Sequence, residues 1–219
     1  MQDQLTTFIA QGIIIGLLVY SIILHEIAHA YAAYMLGDPT GKLQGRLSLN
    51  PIVHIDPFQT LLLPVLTYLS FGFPFGGAKP VPINPLRFRN MGKGMMLSAA
   101  VGPLTNLTIM LVFGLLTRLA SLGEDYIAPK ILAILWYVGF LNFILAIFNL
   151  LPVPPLDGSR ILRYFLPRDA QRSFDSLERY GIIIVLVLVM VFRRQLSVFF
   201  SYYVAMAFAK LAGYLPSLL

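Results

Sequence analysis

SIILHEIAHAYAAY, residues 21–34, decides the reading of this chain. Inside it stands His-Glu-x-x-His: His25, Glu26 and His29. Residues four apart share one face of an α-helix, so the two imidazoles can grip a single metal ion. Zinc is the usual occupant of this pattern, with the glutamate beside the first histidine as the base that deprotonates a bound water. Two buried histidines and a snorkelling glutamate are the plainer alternative. The setting argues against it. Residues 12–20, 22–23 and 27–36 carry no charge, and ionisable groups that deep in an apolar helix are costly and mark functional sites.

Composition sets the class. Of 219 residues 58% are hydrophobic and 12% charged, about half the charge of a soluble domain. Several apolar runs are each long enough to cross a bilayer core of about 30 Å. The expectation is an all-α polytopic membrane protein of about five to six membrane helices or segments, folded as a single domain over 1–219. Its catalytic core would lie at about 5–160, followed over 161–219 by an interfacial helix and C-terminal membrane segments. The opening MQDQLTTF lacks the basic stretch of a cleavable signal peptide. There is no cysteine, so any metal must sit on His, Asp or Glu. The formal charge of +6 reports loop orientation rather than nucleic-acid binding.

Outward from the motif, residues 5–36 read as the first membrane helix, closed by Gly37. Ala28, Ala30, Ala32 and Ala33 keep its second half slim for close packing. The loop 37–57 is polar, with short strands expected around Gln44–Leu49. It holds His54 and Asp56, which suit a further metal site, a shutter over the first, or a loop histidine bonded to backbone. Residues 58–75 are apolar but broken by Pro64, Gly72 and Pro74, long enough to span yet equally readable as a re-entrant segment. GGAKPVPINPLRFRN, 76–90, resists helix and fits an extended edge over Ala78–Ile83, the kind of edge that takes another chain as an added strand. Helices follow at 94–118, where Ser98, Gly102 and Asn106 make one small polar face, and at 131–151, where Asn142 and Asn149 share a face. The loop between them, 119–130, carries Glu124 and Asp125. Three prolines in 152–155 stop the second helix. Asp157 then stands in an apolar turn, a natural third ligand for a metal held by two histidines, or simply part of an Asp-Gly turn. Residues 160–179 read as one amphipathic interfacial helix, and 180–192 and 196–215 as further apolar segments.

HEIAHA on a membrane helix, GPLTN (102–106) and NLLPVPPLDG (149–158) together resemble the site-2 protease family of intramembrane zinc metalloproteases. LNPIVHIDP (49–57) and GGAKPVPINP (76–85) resemble a compact bacterial subgroup of it without a PDZ domain. The matching motifs run over residues 21–160. The resemblance implies one zinc ion per chain on His25, His29 and Asp157, with Glu26 as base and Asn149 stabilising the substrate carbonyl or oxyanion. It also implies that residues 76–84, with Ala78, Lys79, Val81 and Ile83, pair with an unwound segment of a single-span or multi-span membrane-protein substrate. His54 and Asp56 would be gating residues, although the family fixes no role for His54. The competing class is a membrane metal-binding or transport protein using the same His/His/Asp site. A permeation site needs neither a base beside its ligand nor a neutral amide beside the carbonyl path, and Glu26 and Asn149 supply both.

Charge fixes an expected topology in a bacterial cell membrane. If Asp157 is to reach His25 and His29, an even number of crossings must separate them. The helices 94–118 and 131–151 supply two, so 58–75 should enter and leave on one side. Lys42, Arg46, Lys79, Arg87, Arg89 and Lys93 then share a side with Arg160, Arg163, Arg168, Arg172 and Arg179, and only Arg118 and Lys130 flank the opposite loop. The positive-inside rule makes the crowded side, and the zinc, cytoplasmic.

Overall fold

A computed structural model describes residues 2–71, 76–123 and 129–216. No strand occurs among them. The first element is α1, Gln2–Met35, an unbroken helix that carries His25, Glu26 and His29. Gly37 ends it at φ 112°. The Gly37 N–H reaches the Tyr34 carbonyl at 3.1 Å and the Asp38 N–H reaches Ala33 at 2.9 Å, the paired closure of a Schellman cap.

The expected strands near Gln44–Leu49 are absent. A single helical turn, α2 at Thr40–Leu43, runs into further turns through Gly45, which sits at φ 71°. The Arg46 N–H closes back on the Gly41 carbonyl at 2.9 Å. The buried Arg46 side chain then donates from Nη1 to the Val53 carbonyl at 2.5 Å. A left-handed glycine and an inward arginine favour a knot of turns over a ladder.

Residues 57–71 wind helically, first as a wide turn over Pro57–Leu62 and then as α3, Leu63–Phe71. Asp56 caps the start, Oδ1 accepting from the N–H groups of Phe58 at 3.0 Å and Gln59 at 2.8 Å. Fifteen helical residues rise only about 22 Å, short of a full crossing. The chain then comes back: the Gly77 N–H donates to the Gln59 carbonyl at 3.1 Å, and Thr60 Oγ1 donates to the Gly77 carbonyl at 2.8 Å. A Cβ on Gly76 would lie 2.5 Å from the Gln59 carbonyl oxygen, so only glycine permits the return. Seven residues later the Asn84 N–H binds Asp38 Oδ2 at 2.6 Å. Both ends of the 39–83 stretch therefore meet. Gly72 and Pro74, expected to break this segment, lie outside the described residues, as do Glu124 and Asp125.

Next come α4, Met91–Leu122, started by Asn90 Oδ1 on the Lys93 N–H, and α5, Pro129–Asn149. After the proline-rich turn, α6 spans Asp157–Phe165 and α7 Arg168–Glu178. The single interfacial helix expected over 160–179 is thus two. Pro167 forces the residue before it out of helical geometry, and Leu166 is extended at φ −78°, ψ 147°. Then follow α8, Gly181–Val191, α9, Arg193–Val198, and α10, Ala205–Ala212, the last two joined through a wide turn at Phe199–Val204. Among the described residues, Gln4–Met35, Met91–Leu122, Pro129–Asn149 and Arg193–Ala212 are long and apolar enough to span a membrane. Against the five to six membrane helices or segments expected stand these four and the shorter apolar α8.

The chain divides into two compact units. One comprises residues 1–21, 106–148 and 192–219. Its centre is Trp136, with the Phe140 ring at 4.7 Å and the Phe208 ring at 5.5 Å between centroids. Gly139 admits Phe208: a Cβ there would lie 2.4 Å from Cζ of that ring. Above this apolar cluster the buried Ser21, Asn106 and Asn142 are bonded together. Asn106 Nδ2 donates to Asn142 Oδ1 at 2.9 Å, and Asn142 Nδ2 donates to Ser21 Oγ at 3.0 Å. The other unit comprises residues 22–105 and 149–191 and contains the histidine motif.

Candidate metal centre

Three helix segments bring the site together within that second unit. The later half of α1 presents His25 and His29, the first half of α4 lies against them, and the start of α6 supplies Asp157. Contact with α4 depends on Gly102, where a Cβ would sit 2.4 Å from His29 Nε2 and 2.7 Å from His25 Cε1. Any side chain there would occupy the space of the imidazoles. Asp157 is placed by the turn before it. A Cβ on Gly158 would lie 2.1 Å from the Leu150 carbonyl oxygen, so the chain just past Asn149 folds directly onto the residue just past Asp157. Asn149 itself is half-buried as the last residue of α5. As the first residue of α6, Asp157 also sits where a helix favours negative charge.

His25 Nε2 and His29 Nε2 lie 3.0 Å apart. Asp157 Oδ2 lies 3.2 Å from the first and 3.3 Å from the second. All three residues are buried, and they form a group whose ligand atoms fall within 4.8 Å of one another. The second nitrogen of His29, Nδ1, is 2.7 Å from the Ser98 carbonyl oxygen. A carbonyl only accepts, so Nδ1 carries a proton and Nε2 is the ring atom that faces the cluster. Acceptors this close repel unless a proton or a cation stands among them. Ligand atoms on a tetrahedral ion with bonds of about 2.0–2.1 Å lie about 3.3–3.4 Å apart. The observed triangle of two imidazole nitrogens and one carboxylate oxygen fits a zinc ion, with the Ser98 carbonyl as the outer partner that fixes one ring.

The remaining predicted residues lie around this triangle in different ways. The half-buried Glu26 accepts at Oε2 from the Val81 N–H at 3.2 Å, which ties the carboxylate beside His25 to the 76–84 stretch. Lys79 donates its N–H to the His54 carbonyl at 2.8 Å. Over 77–84 the chain is neither helix nor strand, since no second strand pairs with it among the described residues. His54 is buried and its Nε2 lies 2.7 Å from the Ser48 carbonyl oxygen, in keeping with the loop histidine bonded to backbone. Asp56 spends its carboxylate as a cap. Neither belongs to the metal-ligating group found among the described residues.

Comparison with known proteins agrees with this geometry. The description of peptidase family M50 matches residues 112–192. A Bacillus subtilis protein named "Putative zinc metalloprotease YwhC" is 39% identical over 175 residues, 78% of this chain and 77% of that protein. This chain belongs to the M50, or site-2 protease, family. Two proteins named "Putative zinc metalloprotease Rip2" are each 32% identical. The one from Mycolicibacterium smegmatis aligns with 77% of this chain and 62% of its own length, and the one from Mycobacterium tuberculosis H37Rv with 80% and 65%. This site-2 protease thus spans just under two thirds of those relatives. No solved structure matches it.

Some site residues escaped sequence reasoning. Ser98 was visible only as a member of a small-residue face, and Gly102 as part of that face and of the GPLTN stretch; their roles, a carbonyl for His29 and an absent side chain, carry no side-chain signature. Asp38 is fully buried, with Oδ1 accepting from the Thr40 N–H at 3.0 Å and its hydroxyl at 2.5 Å while Oδ2 holds Asn84. In the sequence it is an ordinary Gly-Asp-Pro turn.

Proposed function

We propose that this protein is an intramembrane zinc metalloprotease that hydrolyses peptide bonds in or near transmembrane segments of membrane-protein substrates, with one zinc per chain on His25, His29 and Asp157. The observation that carries the reading is the closed triangle of buried ligand atoms with a carboxylate on the neighbouring residue of the same helix. A zinc ion held by His25, His29 and Asp157 would lower the pKa of a water toward neutrality and polarise the scissile carbonyl. Glu26 would take a proton from the attacking water and return it to the leaving amine. Asn149 donates its amide to the substrate carbonyl or oxyanion. Residues 78–83 hold the substrate backbone, which must be unwound first because a membrane helix keeps its backbone groups bonded internally. His54 and Asp56 shape the approach to that stretch.

Residues 1–219 act as one catalytic domain in a bacterial cell membrane, with the site toward the cytoplasm. The basic loops support that orientation. Single cysteines replacing Lys42 and Arg87 in this cysteine-free chain should both label with an impermeant thiol reagent only after permeabilisation; labelling of either in intact cells contradicts it.

The peptidase reading is tested by the base. Purified Glu26→Gln protein should keep its zinc and lose cleavage of a single-span test protein by about a hundred- to ten-thousand-fold. Unchanged cleavage, or zinc lost along with it, would overturn the assignment.

A further inference from the structure

Resting on the reading of 78–83 as the substrate-holding stretch, we infer that its free edge accepts hydrogen bonds but scarcely donates them, so the substrate must present backbone N–H groups at alternate residues. The N–H groups of Gly77, Lys79 and Val81, two residues apart, all turn inward. They reach the Gln59 carbonyl, the His54 carbonyl and Glu26 Oε2 at 3.1, 2.8 and 3.2 Å. Inward bonding at every second residue is the alternation of an extended chain, in which the N–H and C=O of one residue share an edge. The residues between, Ala78, Pro80 and Pro82, therefore face the other way. Two of the three are proline and have no N–H. Prolines also restrict Lys79 and Val81, the residues before them, to extended geometry.

Over 78–82 the outer edge then offers the carbonyls of Ala78, Pro80 and Pro82 and a single donor, the N–H of Ala78. None of these groups has a partner among the described residues. The alternation ends after Val81: the next N–H bonded inward is that of Asn84, three residues on, which turns to Asp38. An edge of this kind cannot pair with a copy of itself, because carbonyls would face carbonyls opposite both prolines. It suits one occupant: the extended backbone of an unwound peptide, donating N–H groups two residues apart. Opposite Pro80 and Pro82 the peptide's own carbonyls stay unbonded by the edge, and an unbonded carbonyl is what attack by water requires. The edge thus selects substrates by where they lack proline as much as by side chain.

The test is a binding measurement. The full chain carrying E26Q, zinc-loaded in detergent so that nothing is turned over, is titrated with a fluorescein-labelled extended peptide of alternating valine and alanine. Each peptide amide is replaced in turn by an ester, which deletes one N–H donor without the ring of proline. Affinity should fall about tenfold or more at two or three positions spaced by two, with little change between them. On the protein side, Pro80→Ala and Pro82→Ala each restore an outward donor and should tighten binding of the all-amide peptide. Absence of binding, uniform sensitivity to ester replacement, or no gain from either proline variant overturns the inference. If the alternate pattern is found while the wild-type chain cleaves no single-span protein, the edge stands and the peptidase reading fails.

Discussion

Among the described residues, the buried polar side chains around Trp136 and those of the histidine motif are built on opposite rules. In the unit around Trp136, Ser21, Asn106 and Asn142 give each donor an acceptor: Asn106 to Asn142, Asn142 to Ser21 and to the Val138 carbonyl at 2.9 Å, Ser21 to the Leu17 carbonyl at 2.9 Å. In the unit holding the histidine motif, His25, His29 and Asp157 bring three possible ligand atoms within 3.0–3.3 Å of one another. A network whose donors and acceptors match is complete without help and fastens helices together. A triangle of two imidazole nitrogens and one carboxylate oxygen is a group that could hold a metal ion. Polarity at membrane depth is thus no sign of chemistry in itself; the convergence of ligand atoms is.

The contrast can be broken at Gly102. Gly102→Ala places a methyl group where the imidazoles lie. Displacing a ligand ring should cost zinc affinity on the order of ten- to a hundredfold, the scale of disturbed outer-shell partners. Competition against a chelator of known affinity reads it directly, and an unchanged zinc affinity would mean the rings are not held against α4.

The smaller effect belongs to the matched network. Asn142→Ala removes the acceptor of Asn106 Nδ2 and should destabilise the helical fold by about 1–2 kcal/mol, the upper range for interhelical bonds in membranes. Zinc content should be unchanged. Thermal unfolding in detergent together with metal analysis separates the two readouts. Loss of zinc without loss of stability would show that the amide cluster serves the metal rather than the packing.

Much of this contrast was legible in the sequence, but unevenly. His25, Glu26 and His29 were readable because helical periodicity alone puts 25 and 29 on one face. Asp157 needed the proline-rich turn to be read as a device that points a carboxylate inward. Asn106 and Asn142 could be seen to want partners, though not each other, since the bond joins residues 36 apart in the chain. The re-entrant course expected for 58–75 followed from counting crossings; the bonds from Gly77 to Gln59 and from Asn84 to Asp38 could not be read from the sequence. What stayed hidden works through main chain or through absence: the Ser98 carbonyl, the missing side chain of Gly102, the N–H of Val81. The strands expected near Gln44–Leu49 failed because alternation there was outweighed by Gly41 and Gly45, and the single helix over 160–179 failed at Pro167.

The central claim is that the triangle holds a metal and that Asp157, not the loop aspartate, completes it. Metal analysis of the purified full chain tests this most directly, with wild type, Asp157→Ala and Asp56→Ala measured side by side. The account predicts about one zinc per chain in wild type and Asp56→Ala, and little or none in Asp157→Ala. Wild-type protein that binds no zinc, or Asp157→Ala protein that binds as much as wild type, would contradict it.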